Sequence, residues 1–455
     1  MSLMTRDRAF YKSFFKLFRM LVLQNVIVLS VNLADNIMIG SYSETALSGV
    51  AAVNQIQFLF QTIVSGCAEA LVVLGSQYWG QNKTTPIKKA FSGAFLLAEV
   101  FAVVLFVLAA CIPGDVVGLF SETDAIVESG VSYINVIKYT YPVFAATTVL
   151  LALLRTVETV KIAFYVSIMT LCTNVAINYT LIGGNFGAPA LGEVGAAVGT
   201  LVARVLELIV VICYIIFKDK KLSFRFREMF NIDRVLFADY LRLSRSFVVV
   251  GALFGASTAL QSVILGHMND SAIAANSVAT TLYQILKVAA IGAASAASVI
   301  IGKTVGTGNI GKVKEYSRTL QCMFVCIGLL TSAALFMLRI PILSLYDLSP
   351  ETKAMANEFL LVLCVTCIGT AYQMPTCTGI IRGGGDANFV VKNDIISIWC
   401  IVIPVSFLAA FKFGAPPTAV VFLLNSDQIF KCAAAAIKVN RYNFIKKLTR
   451  DTQSE

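Results

Sequence analysis

The chain has 455 residues, 57% of them hydrophobic and 14% charged, with a mean hydropathy of +0.79, which is more apolar than a soluble domain needs to fill its core. A soluble globular protein is excluded and a membrane protein is expected. The formal net charge of +10 is not a nucleic-acid footprint, because the basic residues fall in short connections between apolar segments, where they set topology and meet anionic lipid head groups.

About 20 mostly apolar residues cross the hydrocarbon layer as a helix. In chain order such spans are predicted near 17–40, 51–78, 90–112, 130–153, 162–184 and 194–217, and then near 240–266, 274–301, 316–338, 355–380, 391–411 and 416–437. The reading is an all-α integral membrane protein of twelve transmembrane helices. Basic connections carry Arg6, Arg8, Lys12 and Lys16, then Lys83, Lys88 and Lys89, then Arg155 and Lys161, the stretch KDKKLSFRFREMFNIDR, Lys303, Lys312 and Lys314, Arg382 and Lys392, and the tail from Lys438 to Arg450. They alternate with acidic or neutral ones, save that the last outside turns hold Arg339, Lys353 and Lys412, which predicts cytoplasmic N- and C-termini. The charged start of the chain runs into a full-length span, so no cleavable signal pattern is read there. Of eleven cysteines, Cys364 and Cys367 form the one C-x-x-C; with no second pair and a lone, distant His267 they read as packing residues rather than a metal or redox site.

The chain repeats itself. Residues 37–83 align without a gap on 263–309, so that Gly40 meets Gly266, Gly66 meets Gly292, Gly80 meets Gly306, and Glu44 meets Asp270. Arg155 and Arg382 stand in equivalent places to within one residue. Six spans precede the basic linker and six follow, and an even number per half gives parallel repeats related by an axis along the membrane normal. The predicted organisation is an N-lobe over 1–217, a cytoplasmic linker over 218–238 and a C-lobe over 239–455. Two bundles with a cavity between them suit alternating access. There is no G-x-x-x-x-G-K-[ST], no histidine cluster and no nucleophile elbow, and GTGNIG at 306–311 lies between spans as a tight turn, so an enzyme is not expected.

Charges inside a bilayer are costly and functional by default. Asp35, in VNLADNIMIG late in the first span, is the foremost candidate for a coupling-cation site. Asn32, three residues earlier, shares its helical face, whereas Asn36 is turned away by about 100°. Asn174 and Asn178 are four residues apart on one face and read either as oxygen ligands or as interhelical glue. Glu69, amid the small residues of GCAEALVV, is either a counter-charge in a substrate cavity or a structural partner of a residue such as Lys287, which itself can snorkel from a cavity wall. Asp394, Asp427 and Lys431 suggest a polar patch in the second half, with a structural ion pair between Asp427 and Lys431. Phe58, Tyr139, Tyr283 and Tyr372 offer π faces for an organic cation. Arg155 with Glu158, and Arg382 with Asp386, are placed in equivalent cytoplasmic loops, where short-range pairing either gates or simply sets topology.

NLADNIMIG, QYWGQNK, RTVETVKIAFYVS, NVAINYTLIGGNFGAPALGEVGAAVGTLVARVLE, VILGHMNDSAIAANSVA and IIRGGGD, with the six-plus-six pattern, resemble the multidrug and toxic compound extrusion (MATE) family in its NorM-like branch, over roughly residues 15–440. The resemblance implies a plasma-membrane antiporter that exports small organic, often cationic or amphipathic compounds in exchange for H⁺ or Na⁺. It implies no cofactor beyond that ion, no nucleic acid, and a monomer in the lipid bilayer. It also makes the acid late in the first span the first lobe's cation site, and Asp35 stands there. The chain departs from the branch at Gly251, where an acid is often found, and in a tenth span without an acid between Glu358 and Asp386. It departs again at Met20 and Ser246, which stand in place of prolines, and in holding Glu69 and Lys287 within spans. With a single strong carboxylate the reading leans to H⁺, while Asn32, Asn174 and Asn178 offer oxygens to Na⁺. Rival readings are a lipid-linked precursor flippase of the wider superfamily and a membrane receptor or scaffold.

Overall fold

The structure, a computed structural model, describes residues 4–120, 123–223, 228, 232–266, 268, 270–344 and 349–450, apart from the side chains of 259, 262, 263, 266, 270, 271, 273 and 274. Among the described residues the chain is helical, with no strand. The helices are α1 (Arg8–Tyr42), α2 (Glu44–Gly80), α3 (Thr84–Cys111), the short α4 (Pro113–Gly118), α5 (Asp124–Ile137), α6 (Thr140–Thr156), α7 (Lys161–Ile182) and α8 (Gly192–Phe217), then α9 (Arg234–Gly266), α10 (Asp270–Gly306) and α11 (Ile310–Leu343). They close with α12 (Pro350–Ile381), α13 (Ala387–Lys412) and α14 (Pro417–Asn440).

Ten of these helices have the length and hydropathy of a span, and α5 with α6, bent by 53° at their junction, make an eleventh. α9, with 33 residues, has the length of a twelfth. Several helices are longer than the predicted spans: the 35 residues of α1 reach roughly 50 Å at 1.5 Å per residue, against about 30 Å of hydrocarbon. The ends obey local chemistry. Proline opens α4, α12 and α14, where its missing N–H is harmless. Asn309 and Ser349 cap α11 and α12 by accepting the backbone N–H groups of Lys312 and Thr352 at 3.0 and 3.2 Å. Within α12 the turns widen over Pro375–Ile381, as expected where a proline removes a ladder hydrogen bond.

The chain forms two compact units, one of Met1–Val22, Ser76–Asn82 and Ala252–Glu455, the other of Leu23–Gly75 and Lys83–Gly251. Helices α1, α2 and α9 each pass from one unit into the other. In the first unit α10 packs on α11 and α12, and α12 packs on α14. Its core holds Tyr283, Leu335, Phe359 and Leu363, with Cys364 and Cys367 filling space beside them. In the same unit the last turns of α2 and α10 meet backbone to backbone. A Cβ on Gly80 would overlap the carbonyl oxygen of Lys303, and one on Gly306 would overlap that of Gln77. Gly80 and Gly306 are partners in the sequence repeat, and so are Gln77 and Lys303, the residues whose carbonyls they meet.

In the second unit α3 packs on α6, and α8 packs on α5, α6 and α7. Tyr240 on α9 is buried and donates to the carbonyl of Cys67 on α2 at 2.9 Å. Gly251, where the resemblance leads one to look for an acid, lies against the backbone of Thr62, and even a Cβ there would stand 3.0 Å from that carbonyl oxygen. Any side chain there would crowd the Thr62 backbone.

The turn between α12 and α13 carries Asp386, buried outside the spans and paired with Lys438 at 2.7 Å and Lys446 at 2.8 Å. Burial alone would raise its pKa, but the hydrogen bonds and charges of the two ammonium groups outweigh that and hold the carboxyl below its ordinary value. A carboxyl depressed in the folded state stabilises at pH above its unfolded pKa and loses that contribution as pH falls through the folded one. Thermal unfolding in detergent is therefore expected to fall from about pH 5 toward pH 3 more steeply in the parent than in Asp386→Asn; equal slopes would count against the pairing. Gly306→Ala is expected to lower stability by about 1–3 kcal/mol through overpacking against Gln77. Gly114→Ala, where nothing lies within 4 Å, should leave the melting temperature unchanged.

Candidate functional site

Asp35 lies on α1 seven residues before its end. Asn174 and Asn178 lie on α7, one turn apart, and both are fully buried. The Asn178 amide donates to the Asp35 carboxylate at 2.6 Å and to the amide oxygen of Asn174 at 3.3 Å. The Asn174 amide in turn donates to the Thr200 hydroxyl on α8 at 3.2 Å. One carboxylate, two amides and a hydroxyl thus form a chain across three helices. The Oδ1 of Asn178 is buried and has no hydrogen-bond partner among the described residues. An acceptor left unpaired inside a protein costs on the order of 1–3 kcal/mol, so it marks a place where a cation, a proton donor or water is favoured.

Two glycines make this cluster possible. α7 and α8 are joined by a turn with Gly184 and Gly187 at φ +71° and +83°, which supplies the left-handed conformations that fold α8 back on α7. On α8 Gly195 packs against the backbone of Leu181, and a Cβ on Gly199 would overlap Asn178 Oδ1. Gly199 and Thr200 are absent from the site expected from the sequence. The signal for them is Gly195-x-x-x-Gly199, the spacing that lets two membrane helices approach closely. Asn32 does not join the cluster: it is exposed, as is Asn36.

The first unit carries a second polar network. Lys431 on α14 is buried between Asp394 at 2.8 Å and Asp427 at 3.0 Å. Asp427 accepts from Gln428 at 2.9 Å, Gln428 accepts from Thr370 and Gln373 at 3.0 and 2.8 Å, and Thr370 shares a 2.5 Å hydrogen bond with Tyr283. The Lys287 ammonium stands 5.5 Å from the Phe254 ring and 5.9 Å from that of Tyr283, within cation–π range. Tyr372 donates to Gln321 at 2.8 Å. Of the aromatics singled out in the sequence, Tyr283 is buried in this network while Phe58 and Tyr139 are exposed.

Glu69 pairs with Arg155 at 2.6 Å. This corrects the expectation that Arg155 sits in a loop: α6 continues to Thr156, which places the guanidinium beside α2. It also replaces Lys287, the partner suggested from the sequence. Glu158 follows α6 in a left-handed turn at φ +60°. Arg382, beyond α12, is buried, and Asp386 holds Lys438 and Lys446, neither of which is a short-range neighbour in the sequence.

The MatE family signature matches the chain twice, over residues 21–180 and 247–408, once in each half of the repeat. Among curated proteins, the Bacillus cereus protein named a probable multidrug resistance protein NorM is 24% identical over 403 residues, 88% of either chain. The protein so named in Listeria monocytogenes is 23% identical over 419 residues, 89% of either chain. Among solved structures, a mutant of the Vibrio cholerae MATE transporter VcmN matches with a TM-score of 0.86 at 15% identity, covering 97% of this chain and 98% of that one. The eukaryotic MATE transporter AtDTX14 matches with a TM-score of 0.83 at 18% identity and covers 97% of both. At such identities the structural likeness speaks for the fold, while the twofold signature covers well over half the sequence. The chain therefore belongs to the MatE family, as a NorM-like, multi-pass membrane protein whose family consists of secondary transporters and not enzymes.

Proposed function

We propose that the protein exports organic, cationic or amphipathic compounds across the plasma membrane by alternating access of two six-helix lobes, 1–217 and 239–455, with both termini cytoplasmic. An inward H⁺ drives each cycle. The names of the curated relatives support multidrug efflux. The observation that carries the coupling site is the Asp35–Asn178–Asn174 chain with its buried, unpaired oxygen.

A carboxylate in low dielectric is stable only when compensated, so Asp35 has to be neutralised before the surrounding helices close on it. A proton does this directly and uses the amides of Asn178 and Asn174 to orient the carboxyl. Na⁺ is the second reading, because amide and carboxylate oxygens are hard ligands and Asn178 Oδ1 is free to contribute one. Departure of the ion to the cytoplasm restores the charge and resets the carrier. Phe58 and Tyr139, exposed and aromatic, are proposed contacts for the organic substrate. Glu69, Tyr283, Tyr372 and Lys287 are proposed to shape the cavity wall through their pairings rather than to meet substrate as free groups. The carrier is proposed to act as a monomer.

Asp35→Asn keeps size and most hydrogen bonding but removes the titratable charge. It is expected to insert normally, to retain substrate binding and to lose gradient-driven efflux in reconstituted vesicles. Parental rates at matched protein levels would mean that the carboxylate is a bystander. Gly199→Ala pushes a methyl group into the space of Asn178 Oδ1, and coupled transport should fall roughly ten-fold or more, the scale typical of lost ligand-orienting groups. An unaffected rate would detach Asn178 from the coupling step.

A further inference from the structure

Residues 441–450, which follow α14, are not helical, yet they are held at several points. Beyond α14 residues 445–450 have no regular secondary structure, and a segment of this kind near a terminus normally frays unless something ties it down. Phe444 is fully buried and fills the room left by Gly384, where a Cβ would overlap its ring. The Lys446 N–H donates to the Gly384 carbonyl at 2.8 Å, and its ammonium pairs with Asp386. On the other side, the buried Gln77 amide uses both its ends on the tail: it donates to the Lys446 carbonyl at 3.1 Å and accepts the Leu448 N–H at 2.8 Å. Gln81 donates to Thr449 at 2.6 Å, and the Arg450 N–H reaches the Tyr78 hydroxyl at 3.2 Å. The tail is thus read through its main chain, much as an added strand is.

Its two anchors come from distant parts of the sequence. Gln77 and Tyr78 lie in the last turn of α2 and Gln81 just beyond it, and Gly384 and Asp386 lie in the turn between α12 and α13. The same end of α2 makes the backbone contact with α10 at Gly80 and Gly306. Separating the end of α2 from the α12–α13 turn requires the tail to let go of one anchor or the other.

We infer that residues 442–450 are a cytoplasmic latch, which fastens the end of α2 to the α12–α13 turn and has to release α2 in each transport cycle. This rests on the alternating-access reading. The latch stabilises the state in which the ends of α2 and α10 touch, so weakening it populates the alternative, cytoplasm-open state. Substrate affinity measured from the cytoplasmic side rises in proportion to that population.

The test is hydrogen exchange of the full-length protein in lipid nanodiscs, compared with Gln77→Glu, which removes the donor to Lys446, with Tyr78→Phe, and with a chain ending at Arg441. In the parent, the amides of Lys446 and Leu448 should exchange at least ten-fold or so more slowly than in a free peptide of the tail sequence. All three variants should speed exchange over residues 76–82 by several-fold, the scale of one net hydrogen bond, while leaving the middle of α2 unchanged. In vesicles, Gln77→Glu should lower the apparent KM for cytoplasmic substrate several-fold. Parental tail amides that exchange like the free peptide, or variants that leave 76–82 as slow as before, would overturn the latch. If exchange behaves as stated but no variant alters transport, the structural tether stands and its place in the cycle is overturned. If no compound is transported at all, the efflux reading fails while the exchange data still decide the tether.

Discussion

A carboxylate within a bilayer-spanning helix costs a few kcal/mol unless its surroundings answer it, and the 2.6 Å hydrogen bond from Asn178 to Asp35 is this chain's answer. Much of the second unit serves that bond. The left-handed glycines at 184 and 187 fold α8 back onto α7, Gly195 lets the two backbones close up, and Gly199 leaves the space that Asn178 Oδ1 occupies. Asn174, held by Thr200, fixes the amide from the other side. The result is a carboxylate held by amides rather than by a cation, which leaves its charge free to be cancelled by an ion from outside.

The other half of the repeat solves the same physical problem differently. Lys431 lies between Asp394 and Asp427 and shares one positive charge between two carboxylates, and Gln428 extends the hydrogen bonding to Thr370 and Tyr283. Gly251 packs closely on the Thr62 backbone. A duplicated fold therefore carries one carboxylate that accepts from a neutral amide and a pair of carboxylates that share a buried ammonium. That asymmetry is the reason to look for coupling in the first half.

Periodicity and repetition made the helices, the duplication and the shared face of Asn174 and Asn178 legible in the sequence. The repeat also singled out Gly80 and Gly306, although only the structure brings them into contact. What escaped was whatever depends on which helices are neighbours. Asn32 shares a helical face with Asp35, but spacing within one helix does not say which residues of that face meet α7, and Asn32 remains exposed. Arg155 was misplaced because the end of α6 lies beyond its apolar stretch, and a helix that continues to Thr156 carries the guanidinium to Glu69. The tail gave no signal because irregular backbone recognised by Gln77 has neither a period nor a motif.

The central claim is that Asp35 gives up its charge to the coupling ion and that this ion is H⁺. It is tested most directly by recording the pH of a weakly buffered solution of the purified protein as a transported dye is added. The account predicts proton release on dye binding in the parent and none in Asp35→Asn at the same dye occupancy. Dye binding that releases no proton in the parent but displaces bound Na⁺, or proton release that persists in Asp35→Asn, would contradict it.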